Sequence, residues 1–359
     1  MRFIFGAFIA VFVSFTASAF ASEIETVHEL PRETPPGNIA IGPDGRVFMS
    51  LHAFYGPEVR VVEVRKDGST VPYPPKGWAF APKGDGPGLT GVLGLRVDQD
   101  GVLWMLDGQT ESHAGRLVGW DTNSETLHRI VYLPSPVVPG NAFLNDLAVD
   151  LDNQAIYIAD PAAGTNSAII VVDLETGRAR RVLEGTEFVN AGDVDMVIDD
   201  RLMTLGGNPA RVGINPITID PENEWLYFGP MSGNTLYRVK TAHLNDPDLD
   251  PEDLASRVEA YGERPISDGA TIDGEGNVYI TDITNDAIGV VKPDGSYEVL
   301  FQRDEISWPD GYAYGPDDKI YVVINELHRS PVLNGGEDGS LGEFKIMRFE
   351  PLAGGATGR

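Results

Sequence analysis

The 359-residue chain contains no cysteine. That excludes a disulfide framework, a thiolate metal centre, an iron–sulfur cluster and a cysteine nucleophile. Positive charge is also scarce: 27 Lys and Arg stand against 54 Asp and Glu, a formal charge of −27. Such a surface repels phosphate backbones and anionic lipid, so no nucleic acid and no polybasic membrane contact is expected as a partner. Beyond the N-terminal stretch no apolar run is long enough to cross a bilayer. Gly-x-Ser-x-Gly, His-Glu-x-x-His and P-loop motifs are missing; so is the Gly-His mark of WD repeats, and Trp-Asp occurs once, at Trp120-Asp121, instead of once per repeat. With 42% hydrophobic residues the sequence is nonetheless globular. A chain of this length buries roughly three quarters of its unfolded surface without a covalent staple.

The one apolar run lies at the start. Met1-Arg2 precedes Phe3 to Phe15, and Ala17-Ser18-Ala19 and Ala19-Phe20-Ala21 both fit a small-x-small cleavage site. Residues 1–21 are expected to be a secretory signal peptide, giving a secreted or periplasmic protein with no membrane segment after cleavage. Loss of Arg2 would move the charge from −27 to −28.

The remainder is repetitive. Six times a short apolar stretch, opened by a polar or small residue in all copies but the Leu93 one, is followed by a polar turn and an aromatic strand. The opening residues are Gly37, Leu93, Asn145, Asn215, Asp268 and Asp310; the aromatics are Phe48, Trp104, Tyr157, Tyr227, Tyr279 and Tyr321. Opening and aromatic residues are separated by 11, 11, 12, 12, 11 and 11 residues, and successive aromatics by 56, 53, 70, 52 and 42. Further hairpins surround Lys66-Asp67-Gly68, Glu175-Thr176-Gly177 and Pro293-Asp294-Gly295. Helical periodicity is confined to a short stretch near Pro251 to Glu259. The pattern predicts an all-β, six-bladed β-propeller with four-stranded antiparallel blades around a central channel. It occupies residues 22–351 as one domain, and residues 352–359 form a flexible tail. The 70-residue spacing marks an insertion at 184–212, either a lid or a surface elaboration.

In that architecture the opening residues of all six innermost strands converge at one mouth of the channel. Asn145, Asn215 and Asp268 supply short oxygen-bearing side chains from three consecutive blades, the donor type that hard cations such as Ca²⁺ take. The ends of the second strands return to the same mouth and bring His52 and His328. Phe54, Tyr55 and Trp308 are close by in sequence as an apolar wall. The segment Asp273-Gly274-Glu275-Gly276-Asn277 resembles part of a calcium loop but falls on a hairpin turn.

Phe143-Leu144-Asn145-Asp146-Leu147-Ala148-Val149-Asp150 and Ala155-Ile156-Tyr157-Ile158-Ala159-Asp160 resemble the Yellow/major royal jelly protein family. Asn234 to Thr241, Ser267-Asp268-Gly269 and Trp308-Pro309-Asp310-Gly311 resemble it too. The resemblance covers most of the chain after the signal segment and implies a secreted six-bladed propeller associated with pigmentation or small-ligand binding. The same residues resemble a wider group: regucalcin-type gluconolactonases, paraoxonases and calcium-dependent phosphotriesterases. There the resemblance implies a catalytic Ca²⁺ on Glu, Asn, Asn and Asp from the first, third, fourth and fifth blades. Asn145, Asn215 and Asp268 match three of these positions; the Glu position falls on Gly37, with Asn38 beside it.

Two readings follow. In the first, Ca²⁺ on Asn145, Asn215 and Asp268 polarises a lactone or ester carbonyl, while Asp310, His52 or His328 activates water. In the second, the mouth binds a small molecule without turnover, with Asp268 and Asp310 supplying charge and Asn38, Phe54, Tyr55 and Trp308 supplying contacts. Either way the expected partner is a small-molecule ligand or substrate, and the expected state a monomer.

Overall fold

The computed structural model describes residues 23–358 apart from Asp85 and Ser112; the expected signal segment lies outside the described residues. Six four-stranded antiparallel sheets are arranged as the repeats predict. The innermost strands are Pro36–Ile41, Val92–Val97, Leu147–Asp150, Ile214–Ile219, Ala270–Ile272 and Pro309–Tyr314, in blades one to six. All but one of their residues are buried; Asp310 is partly exposed.

The aspartates at the base of the inner strands explain three of the six repeated aromatics. Asp98 Oδ2 accepts from Trp104 Nε1 at 2.7 Å, Asp150 Oδ2 from the Tyr157 hydroxyl at 2.9 Å, and Asp273 Oδ2 from the Tyr279 hydroxyl at 2.9 Å. The other oxygen of each ties down the turn: Asp273 Oδ1 accepts from the Glu275 and Asn277 amides, both at 3.0 Å. Each aspartate thus nucleates a turn and satisfies the polar tip of a buried ring. The Asp273–Asn277 segment is such a turn.

Two connections were not anticipated. The sixth blade takes its outermost strand from the N-terminus: Glu25–Glu29 pairs with Lys345–Phe349, Thr26 opposite Met347, so the ring is closed by strand pairing. The C-terminal part of the chain therefore supplies only three strands of blade six. The helical stretch is also shorter than expected. Pro251–Ala255 forms one turn, capped by Asp250 accepting from the Glu252 amide at 2.8 Å, and Glu259 already opens the outer strand Glu259–Glu263 of blade four.

The insertion folds into two small hairpins, Val197–Ile198 with Arg201–Leu202 and Thr204–Leu205 with Asn208–Pro209. Asp199-Asp200 and Gly206-Gly207 fill their turns, each with positive φ, the geometry of tight two-residue hairpins. The segment after Pro351 lies at the opposite end of the channel. The Leu352 amide donates to the Tyr279 hydroxyl at 2.6 Å, Tyr314 donates to the Ala353 carbonyl at 2.7 Å, and the Gly274 amide donates to the Gly354 carbonyl at 2.7 Å.

Candidate functional site

The predicted convergence occurs. Asn145, Asn215 and Asp268 share a small polar cavity of about 20 Å³ with Asn38, Asp146 and Asp310. Above it opens a second pocket of about 360 Å³, for which Asn145, Asn215, Asp268 and His52 form the floor. Its walls are Phe54, Phe143, Met231, Trp308 and Leu327, and its roof is the insertion, through Met196, Leu205, Ala210 and Val212. The insertion therefore covers the mouth. Apolar walls over a few convergent polar groups are the usual construction of a small-molecule site.

Asp268 is the one carboxylate among the described residues lining this upper pocket. Its Oδ1 accepts from Asn215 Nδ2, and its Oδ2 accepts from Trp308 Nε1 at 2.7 Å. Trp308 reaches it from a left-handed backbone, φ 52°, which bulky residues rarely adopt. Burial pushes the Asp268 carboxyl up to about 6, against the pull of these two donors. Asp310, which accepts from Asn325 Nδ2 at 2.7 Å, is raised well above the ordinary range by burial and by the neighbouring Asp268 charge.

The two candidate histidines part company. His52 Nδ1 accepts from the Phe54 amide at 3.2 Å, and burial lowers its pKa to about 3. The neutral ring therefore carries its proton on Nε2 and offers a donor, a different role from the expected general base. His328 does not line the pocket. It stacks on Trp308, with centroids 6.0 Å apart, while its Nε2 lies 3.1 Å from Asp199 Oδ2 in the insertion. Burial holds its pKa at about 4. Arg329 adds a 3.0 Å ion pair to the same Asp199, and Arg201 donates to the His328 carbonyl at 2.6 Å. His328 thus belongs to a clasp between the insertion and blade six.

Phe54 stands in the wall, edge-on to His52 at 4.8 Å. Tyr55 is turned away from the pocket and donates to the Asn325 and Glu326 carbonyls at 2.8 and 2.9 Å. Asn38 lies below the pocket with its Oδ1 turned to the Ile39 amide, 2.8 Å, and to Arg96, 3.1 Å.

Arg96 is the residue sequence reasoning missed. It rises from the inner strand of blade two, 3% exposed, and its Nη2 pairs with Asp146 Oδ2 at 3.3 Å. Its signal was register. Three residues after the opening position the blades carry Ala40, Arg96, Ala148, Thr218, Thr271 and Ala313. One Arg among Ala and Thr on buried inner strands requires a buried partner.

Calcium does not fit this arrangement as it stands. The three matched side chains share a cavity, yet both Asp268 oxygens already accept hydrogen bonds and the Asn38 oxygen faces a guanidinium. Gly37 contributes no ligand, and a Cβ there would lie 2.8 Å from Ser50 Oγ, a hydroxyl engaged by the Leu93 carbonyl and the Asn38 amide. Among the described residues no three acidic, histidine or cysteine side chains form a metal-ligand cluster.

Fold and site together define a six-bladed propeller with a capped pocket at one mouth. The family profile of the major royal jelly proteins matches residues 90–327, and the chain belongs to that family. Major royal jelly protein 1 of Apis mellifera is 24% identical over 227 residues, 58% of this chain and 51% of that protein. The chain thus spans about half the length of the curated relatives it matches. Three solved structures share the fold. A luciferin-regenerating enzyme has a TM-score of 0.60 at 14% identity, covering 94% of this chain and 99% of that one. A gluconolactonase from Xanthomonas campestris scores 0.57 at 12% identity, covering 93% and 92%. A calcium-binding regucalcin from Agrobacterium tumefaciens scores 0.55 at 15% identity, covering 93% and 98%.

Proposed function

We propose that the protein binds a small molecule at the capped mouth, seating an apolar body against Phe54, Phe143 and Trp308 and a cationic head on Asp268. The observation that carries this is a single buried carboxylate at the floor of a largely apolar, roofed pocket, whose lining cation among the described residues, Arg211, is paired with Asp193 and Asp195. An incoming cation supplies the countercharge that burial denies Asp268, and charge-assisted hydrogen bonds in such a site contribute about 1.5–3 kcal/mol. The remaining lone pairs of the Asp268 oxygens, and the Asn145 amide, can accept from it. His52 Nε2 supplies a donor for a carbonyl or hydroxyl on the same ligand. Export through the N-terminal segment and a monomeric state complete the reading, on sequence grounds.

The lactone- or ester-hydrolase reading draws support from the shared cavity of Asn145, Asn215 and Asp268 and from the gluconolactonase fold likeness. It needs a divalent ion among groups already committed to one another, and a base other than His52. Binding is the better supported of the two.

Calorimetric titration with tryptamine, its neutral alcohol analogue and indole-3-acetate tests the proposal. The amine should bind at least about tenfold tighter than the alcohol, and the acid least of all. Asp268→Asn should bring the amine to the level of the alcohol. Equal binding of all three, or an amine preference that survives Asp268→Asn, would overturn it.

A further inference from the structure

Beneath the pocket the channel holds an oxygen cage around one side chain. Arg96 Nη1 lies 3.1 Å from Asn38 Oδ1, 3.2 Å from the Leu95 carbonyl and 3.3 Å from the Tyr312 carbonyl, and Nη2 lies 3.3 Å from Asp146 Oδ2. The four acceptors come from blades one, two, six and three, and every one is an oxygen. Arg96 and Asp146 are each more than nine-tenths buried. Carboxylate, amide and backbone oxygens gathered from several elements are also the ligand types that hard divalent cations prefer. The cage is closely built: a Cβ on Gly311 would fall 2.2 Å from Asn38 Oδ1.

We propose that the Arg96 guanidinium is the built-in cation of this channel, occupying the place that a divalent metal could otherwise take, and that its removal uncovers a divalent-cation site. The charge inventory supports this. Asp146, Asp268 and Asp310 all line one small cavity, and Arg96, outside its lining, pairs with one of them, Asp146. Deleting the guanidinium removes the countercharge paired with Asp146 and leaves two carbonyls without it, while Asn38 Oδ1 keeps the Ile39 amide and Asp146 Oδ1 the Leu147 amide. Asn145, Asn215 and Asp268 sit directly above. A buried carboxylate stripped of its countercharge is strongly destabilising unless another cation replaces it. The guanidinium is also covalently fixed and permanently charged, so it holds the blades together at any metal concentration.

The test uses Ca²⁺ alone, with no organic ligand, so its outcome is separate from that of the binding proposal. Thermal unfolding is followed in EDTA and in Ca²⁺ for the wild type, Arg96→Ala, Arg96→Lys and the double variant Arg96→Ala/Asp146→Asn. The wild type and Arg96→Lys should be insensitive to Ca²⁺. Arg96→Ala should melt lower in EDTA and rise by roughly 3–5 °C at about 10 mM Ca²⁺, because an ion that binds only the native state stabilises it by mass action. The double variant should lose that response. A Ca²⁺-dependent rise in the wild type would overturn the inference. So would an Arg96→Ala protein that folds but ignores Ca²⁺, or one that stays unfolded even at the high Ca²⁺ concentration, since the claim is that either cation suffices.

Discussion

The two ends of the channel are made from the same six inner strands under different rules. At the base, blades two, three and five repeat one device, an aspartate that binds a buried aromatic: Asp98 with Trp104, Asp150 with Tyr157, Asp273 with Tyr279. At the mouth the equivalent strand starts diverge into Gly37, Leu93, Asn145, Asn215, Asp268 and Asp310. Agreement among repeats reports a packing device that several blades share; disagreement reports what one position does that the others do not. Arg96 obeys the same logic, since it breaks an Ala/Thr pattern inside the channel. A repeat protein can be read by subtraction, the common part giving the fold and the residue giving the site.

The sharpest way to break this comparison is to truncate one ring at each end. Tyr157 is fully buried, donates to Asp150 at 2.9 Å and accepts from Asn245 at 2.8 Å. Tyr157→Ala should cost about 3–5 kcal/mol in denaturant unfolding, through lost burial, a cavity and the loss of the hydroxyl that links Asp150 to Asn245. Phe54→Ala, in the half-open pocket wall, should cost under about 1.5 kcal/mol, because an exposed side leaves fewer contacts to lose. Equal losses would mean that the mouth is as structural as the base.

A second prediction concerns charge. Asp268 has its folded pKa raised to about 6 from an ordinary 3.8. The folded state therefore holds the proton more tightly, and this stabilising contribution is complete below about 3.8 and lost as pH rises through 6. Asp268→Asn should remove a loss of about 2–3 kcal/mol over that interval, seen as a difference between the stability–pH curves of variant and wild type. The buried histidines act in the opposite sense. His52 and His328, with folded pKa values of about 3 and 4, cost stability as pH falls below about 6.5. The difference curve removes the histidine contribution and reports Asp268 together with Asp310, whose carboxyl is raised in part by the Asp268 charge. An Asp268→Asn curve parallel to wild type would show that the folded carboxyl titrates as it does in the unfolded chain, against the raised value.

The fold was legible because its information is local. Strand, turn and aromatic recur within each repeat, and a hairpin needs nothing from elsewhere. The ring closure was not, because the pairing of Glu25 to Glu29 with Lys345 to Phe349 spans nearly the whole chain and involves a short, half-exposed strand. At the site the same division holds. Asn145, Asn215 and Asp268 could be placed together from register alone. The Trp308–Asp268 hydrogen bond could not, since it depends on a positive φ at a bulky residue. Nor could the position of His328, which is decided by Asp199 on an insertion that has no counterpart in the other blades.

That insertion gives the smallest and most specific prediction. The base is held by side chains buried within continuous sheets, whereas the mouth is covered by hairpins joined to blade six through Asp199, Arg201, His328, Arg329 and Asn334. Asp199 is 45% exposed at its side chain, so water can replace much of what it provides. Asp199→Ala should therefore cost only about 1 kcal/mol of stability, the low end for orphaning a buried His328 donor. Its effect on ligand exchange should be larger in proportion. Met196, Leu205 and Ala210 roof the pocket, so loosening the clasp should speed dissociation several-fold while the floor, and with it the preference for a cationic head, is unchanged. Stopped-flow displacement of bound tryptamine measures this directly. An unchanged dissociation rate alongside the stability loss would assign the clasp to folding alone, and would place the route into the pocket elsewhere than under the insertion.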